Sequence, residues 1–169
     1  MKNLLKFSSC LIAIIHFLSS AYAQVSPTLE IKGLVENPQL LQVTDLLKMK
    51  IETRQDIKIV SLSGEVKRQI SELKGVLLRD VLEQAKVKII NPKERGKFFI
   101  VAKATDGYTA VFAYNEIFNN PTGDNVLLVF EEDKKALDKD GAVVLITTND
   151  KVTGPRHVKW LQSIEVKSF

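Results

Sequence analysis

At 169 residues, 45% hydrophobic and 26% charged with a formal charge of +4, the chain has the composition of a folded domain, not of a disordered or low-complexity segment. Acids and bases alternate along it without a concentrated basic stripe, which excludes nucleic acid and a membrane surface as partners. One cysteine, Cys10, and two histidines, His16 and His157, leave little with which to build a disulfide framework or a cysteine-rich metal centre.

The first segment reads as removable. MKNLLK is positive, the run LIAIIHFL is apolar but too short to span a bilayer, and Ala21-Tyr22-Ala23 supplies the small-x-small pattern of a cleavage site. Residues 1–23 are therefore expected to be a signal peptide cut before Gln24, with the mature chain exported to the periplasm and not inserted in the membrane. Cys10 precedes the apolar run, the wrong side for a lipoprotein cysteine. Cleavage removes it together with His16, Lys2 and Lys6, so residues 24–169 would carry +2, no thiol and His157 alone. Thiolate nucleophiles and cysteine-ligated metals are thereby excluded from the mature chain, and a Ser-His-Asp triad has only His157 to draw on.

No internal repeat or linker divides residues 24–169, which are expected to form one domain. Leu29–Val35 alternates as a strand that Asn37-Pro38 ends, and Thr44 or Asp45 is placed to cap a short packing helix around Leu46, Leu47 and Met49. A strand follows over Ile57–Val66, with a turn at Ser63-Gly64-Glu65. Gly75–Ala85 has the helical spacing of Leu77 or Leu78, Val81, Leu82 and Ala85, and is expected to lie across a sheet. Lys97–Ala104 and Tyr108–Ala113 read as a hairpin joined at Asp106-Gly107, a pair suited to a type I′ turn. A short helix begins at Tyr114 or Asn115 and stops at Asn120-Pro121. Val126–Glu131, Ala142–Thr147 and Val158–Val166 complete a set of many strands and few helices, hence an α+β fold.

The order of these pieces resembles the molybdopterin-binding domain of the sulfite oxidase fold over nearly all of residues 29–167. The resemblance is carried by Asp106-Gly107-Tyr108, by the G-V-x-L-x-D-V-L of Gly75–Leu82, and by the ending Arg156-x-x-Lys159-x-Leu161-x-x-Ile164-Glu165-Val166. It implies a mixed-sheet fold with a few short helices. In the enzymes of this fold a cysteine thiolate binds molybdenum at the end of the strand before the G-V-x-L helix. Here that stretch is Val60-Ser61-Leu62-Ser63-Gly64-Glu65, with serine where the cysteine is sought, so molybdenum is not expected. The enzymes also continue into further domains that complete the substrate pocket. The expectation is a non-enzymatic, stand-alone exported member similar to the periplasmic pterin-binding proteins that report to membrane sensors, a diguanylate cyclase or a kinase. The alternative is a small periplasmic molybdopterin-dependent oxidoreductase.

A pterin needs an aromatic or guanidinium face and a carboxylate or amide at its edge. Arg156, Tyr108, His157, Trp160 and Asp106 are the candidate ligand-binding residues, with no catalytic and no metal-binding residue among them; Asn149 and Asp150 are further edge candidates. Arg156 follows Gly154-Pro155, where a loop would present it to a cleft, although a plain surface arginine satisfies the sequence equally. Trp160 alternates with Val158, Ile164 and Val166, which claims it for the core. His157 and Lys159 then fall on the solvated face. Tyr108 packs cross-strand with its hydroxyl toward the cleft, and Asp106 is either a turn former or an edge-binding carboxylate.

Overall fold

The computed structural model describes residues 28–169, so the expected signal peptide and its cleavage site lie outside the described residues. The architecture is α+β. One five-stranded sheet has the order β2 (Gln39–Leu41), β1 (Leu29–Gly33), β10 (Leu161–Ser168), β5 (Phe98–Ala104), β6 (Thr109–Ala113), with β1 and β10 parallel and the other pairs antiparallel. The second runs β3 (Glu52–Val60), β4 (Val66–Leu77), β7 (Val126–Glu132), and on the far side of β7 sit both β8 (Lys135–Ala136) and β9 (Val144–Thr147), all antiparallel. Three short helices, α1 (Val43–Leu46), α2 (Leu78–Ala85) and α3 (Tyr114–Phe118), complete the regular structure.

Alternation along the strands sorts the apolar residues into two cores. Ile31, Val76, Leu82, Phe112, Leu128 and Ile164 belong to the larger, which includes the buried face of α2. Ile59, Ile70, Leu77, Leu127, Val129 and Ile146 form the smaller on the opposite face of the second sheet. In register, Val76 lies opposite Leu128 and Leu77 opposite Leu127, so neighbouring residues of the same two strands feed different cores.

The β3 edge of the second sheet is tied to the segment after β9 by Thr153. The Thr153 hydroxyl donates to the Lys58 carbonyl (2.7 Å) and accepts from the Val60 N–H (2.9 Å). Gly154 makes this approach feasible, because a Cβ there would stand 2.8 Å from the Val60 carbonyl oxygen.

Several boundaries differ from the sequence reading. The helix expected from Gly75 starts at Leu78, because Gly75–Leu77 complete β4 against Leu127–Val129. Gly75 allows that contact: a Cβ would sit 2.4 Å from the Leu128 carbonyl oxygen. The helix around Leu46 is capped earlier than Thr44 or Asp45, at Gln42, whose N–H donates to the Asp45 carboxylate (3.0 Å). Only Gly107 has a positive φ (+89°) in the Asp106-Gly107 loop, so a type I′ pair is not formed. Instead the Gly107 N–H donates to the Ala104 carbonyl and the Ala104 N–H to the Tyr108 carbonyl, one glycine carrying the left-handed step of a longer loop. Finally, the last strand begins at Leu161, not Val158.

Candidate ligand cleft

The Ser61–Glu65 turn, the β5–β6 loop and the segment from Thr153 to Trp160 meet around a divided cleft. One compartment of about 330 Å³ is lined by Ile59, Ser61, Leu62, Lys67, Tyr108, Gly154 and Pro155. The other, about 250 Å³, is lined by Asp106, Tyr108, Gly154, His157, Lys159 and Trp160. Tyr108 borders both, and its hydroxyl donates to the Pro155 carbonyl at 2.8 Å, which ties the ring to the far wall. Asp106 accepts from the Tyr108 N–H (2.9 Å), so it forms the turn and also borders the cleft.

Four of the five candidate residues, Tyr108, His157, Trp160 and Asp106, come together in the second compartment. Arg156 lines neither. Its Nε and Nη2 donate to the two oxygens of Asp150, its Nη1 donates to Glu116, and the guanidinium lies 4.8 Å from the centre of the Phe112 ring. These contacts raise its pKa, the Asp150 hydrogen bonds first. The loop does present Arg156 at the sheet end, but two carboxylates engage it and join the segment after β9 to α3.

Trp160 is not in the core. It is 42% exposed, has φ +48°, donates its N–H to the Asp140 carbonyl and accepts at its own carbonyl from the Thr105 N–H. The left-handed residue breaks the alternation read from the sequence: Val158 fills the core through a bridge to Leu145, Leu161 takes the next inward position, and the register shifts again between Leu161 and Ser163. His157 is 8% exposed and not on a solvated face, because it follows the Gly154–Arg156 turn ahead of the strand, where alternation does not apply. Burial, reinforced by Lys159 and Arg68 and opposed by Asp140, pushes its pKa down to about 4. Its buried Nε2 has no hydrogen-bond partner.

Sequence reasoning missed Glu116 as a partner of Arg156, since nothing in a single chain links positions 40 residues apart. It also missed the wall formed by Leu62, Lys67 and Pro155; the one available signal was an apolar Leu62 inside a turn of serines and glycine.

Two sheets, one of them mixed, with a few short helices are the architecture of the sulfite-oxidase-like molybdopterin-binding fold. The chain belongs to that family: the model of the oxidoreductase molybdopterin binding domain matches residues 21–169. Among solved structures it is similar to the sulfane dehydrogenase SoxCD from Paracoccus pantotrophus, at 23% identity and a TM-score of 0.61, over 84% of this chain and 39% of that one. The chain thus spans well under half of that protein's length, and the likeness shows the fold. No curated protein matches the chain.

The family implies a molybdenum-bearing pterin, and the residues present do not fit its metal. Where the thiolate ligand is sought, Ser61 Oγ lies 2.9 Å from Ser63 Oγ and donates to the Glu65 carbonyl (3.2 Å), so its hydroxyl is engaged within its own turn. Among the described residues no group of three or more His, Cys, Asp or Glu is placed to hold a metal ion. The cleft's two lysines are also paired, Lys67 with Glu65 and Lys159 with Asp140. A flat heterocycle fits better: exposed Tyr108 and Trp160 offer aromatic faces, and Asp106 offers a polar contact.

Proposed function

We propose that this member of the family is a non-catalytic ligand-binding module that holds a pterin-like heterocycle between Tyr108 and Trp160. The observation that carries the reading is Ser61, a hydroxyl bound into its own turn at the position where the family's enzymes present a thiolate. The ring stacks on an aromatic face, and the Asp106 carboxylate accepts a hydrogen bond from its edge. Acting in the periplasm, the module passes occupancy to the periplasmic domain of a membrane sensor, a diguanylate cyclase or a kinase. The signal sequence at residues 1–23 supports that location. No helix among the described residues is long and apolar enough to cross a membrane.

The test is purification of the exported protein from cells that make the molybdenum cofactor. Pterin absorbance and fluorescence should accompany the protein, with molybdenum far below one atom per chain. Added pterin at a hundredfold excess over Kd should raise the thermal midpoint by roughly 6–10 °C. If no pterin copurifies and the midpoint does not move, the ligand reading fails; stoichiometric molybdenum would replace it with the oxidoreductase alternative. Deleting the gene should remove the ligand response of the sensor's output, and an unchanged response refutes the signalling half.

A further inference from the structure

Trp160 also borders a recess outside the cleft just described. It measures about 490 Å³, more than either cleft compartment, and Leu29, Leu137, Val143 and Leu161 supply its apolar walls. Among the described residues Asp138 is the one charged-type side chain lining it, and Gln162 adds an amide.

The backbone at this wall is unusual. A left-handed tryptophan is strained, because the Cβ crowds the following carbonyl. The chain holds it there with the Asp140 carbonyl, which accepts from the Trp160 N–H at 2.6 Å, and with the Thr105 N–H, which donates to the Trp160 carbonyl at 3.1 Å. Gly141, at φ +90°, passes so close that a Cβ would stand 2.8 Å from the Trp160 Cα. Core packing does not explain the arrangement, since the ring is two-fifths exposed. What it does achieve is to make one indole a wall of two separate hollows.

We propose that this recess is a second binding site, distinct from the family cleft, for a small planar nitrogen heterocycle of the aminopyrimidine class. The ring lies against Trp160, and its amino edge donates to the Asp138 carboxylate and the Gln162 amide oxygen. The apolar walls and the aromatic face favour a flat ring, and the lone carboxylate selects neutral or cationic rings against anionic ones. The inference does not depend on the cleft holding a pterin.

Trp160 is the chain's only tryptophan, so its fluorescence reports on a ligand in either hollow, and variants of the recess wall assign the signal to the recess. The probe is 2,4-diaminopyrimidine, with orotate as an anionic pyrimidine of similar size, and ligand-observed NMR as a second readout. Saturable quenching is expected from the diaminopyrimidine and not from orotate. Asp138→Asn, on the wall, should weaken it about tenfold, the loss of a charge-assisted hydrogen bond. Ala142→Phe, which fills the recess, should abolish it while the thermal midpoint is retained. Absence of saturation by about 10 mM, equal quenching by orotate, or quenching unaltered in both variants overturns the proposal.

Discussion

His157 shows how burial decides the chemistry of a side chain. The imidazole lies inside, next to Lys159 and Arg68 and with Asp140 as the nearby carboxylate, and burial holds its pKa at about 4 against 6.5 in an open chain. Because the folded value is the lower one, the neutral ring's contribution to stability is complete above pH 6.5 and is lost as pH falls toward 4. The size of that loss is about 3 kcal/mol. Urea denaturation of the parent protein and of His157→Gln between pH 7.5 and 4 should therefore show the parent losing about that much more than the variant. Equal slopes would mean that the imidazole is solvated in the native chain. Arg156 makes the complementary point. The sequence reading had the Gly154-Pro155 turn free it for a cleft, and could not show that Asp150 and Glu116 already occupy its donors. Residue type was legible; partnership across the fold was not.

At the scale of elements, periodicity located the three helices and most strands, missed β2, β4 and β8, and failed where an element changes type within an apolar run. Gly75–Ala85 is helical in spacing throughout, but its first three residues pair with β7 because that strand has inward positions on both faces. The mostly polar Val66–Gln69 hid the first part of β4, which pairs with Lys58–Val60 at the apolar end of β3. Closure of the second sheet was invisible as well, because it depends on a single hydroxyl more than 90 residues from the strand it meets. Thr153→Val keeps the shape of that side chain but leaves the Val60 N–H and the Lys58 carbonyl without their partner. A loss of about 1–2 kcal/mol is expected in chemical denaturation, with most of it restored in Thr153→Ser. The same substitution loosens the wall carrying Gly154 and Pro155, so ligand affinity should fall with stability. A valine variant as stable as the parent would show that the loop is held by its other contacts alone.

For the molecule as a whole, the two cores raise the question of whether they are separate folding units. The strand register argues that they are not. β4 and β7 send Val76 and Leu128 to the larger core and Leu77 and Leu127 to the smaller, so neither can lose its packing while the shared ladder keeps its geometry. The cleft sits at the junction: Ile59 of the smaller core lines one compartment, and Trp160 precedes Leu161 of the larger. Leu127→Ala and Leu128→Ala test this arrangement from opposite faces of one strand. Both side chains are fully buried, and each truncation should cost about 2–5 kcal/mol from a total on the order of 5–15. If the cores form one cooperative unit, Trp160 fluorescence and far-ultraviolet circular dichroism will give coincident transitions in both variants, each shifted from the parent. Should Leu127→Ala leave the Trp160 transition in place while the dichroism splits into two steps, the smaller core unfolds independently. Coincidence, by contrast, means that occupancy at the junction stabilises both cores at once, since a ligand bound only to the native chain shifts the single equilibrium that both share.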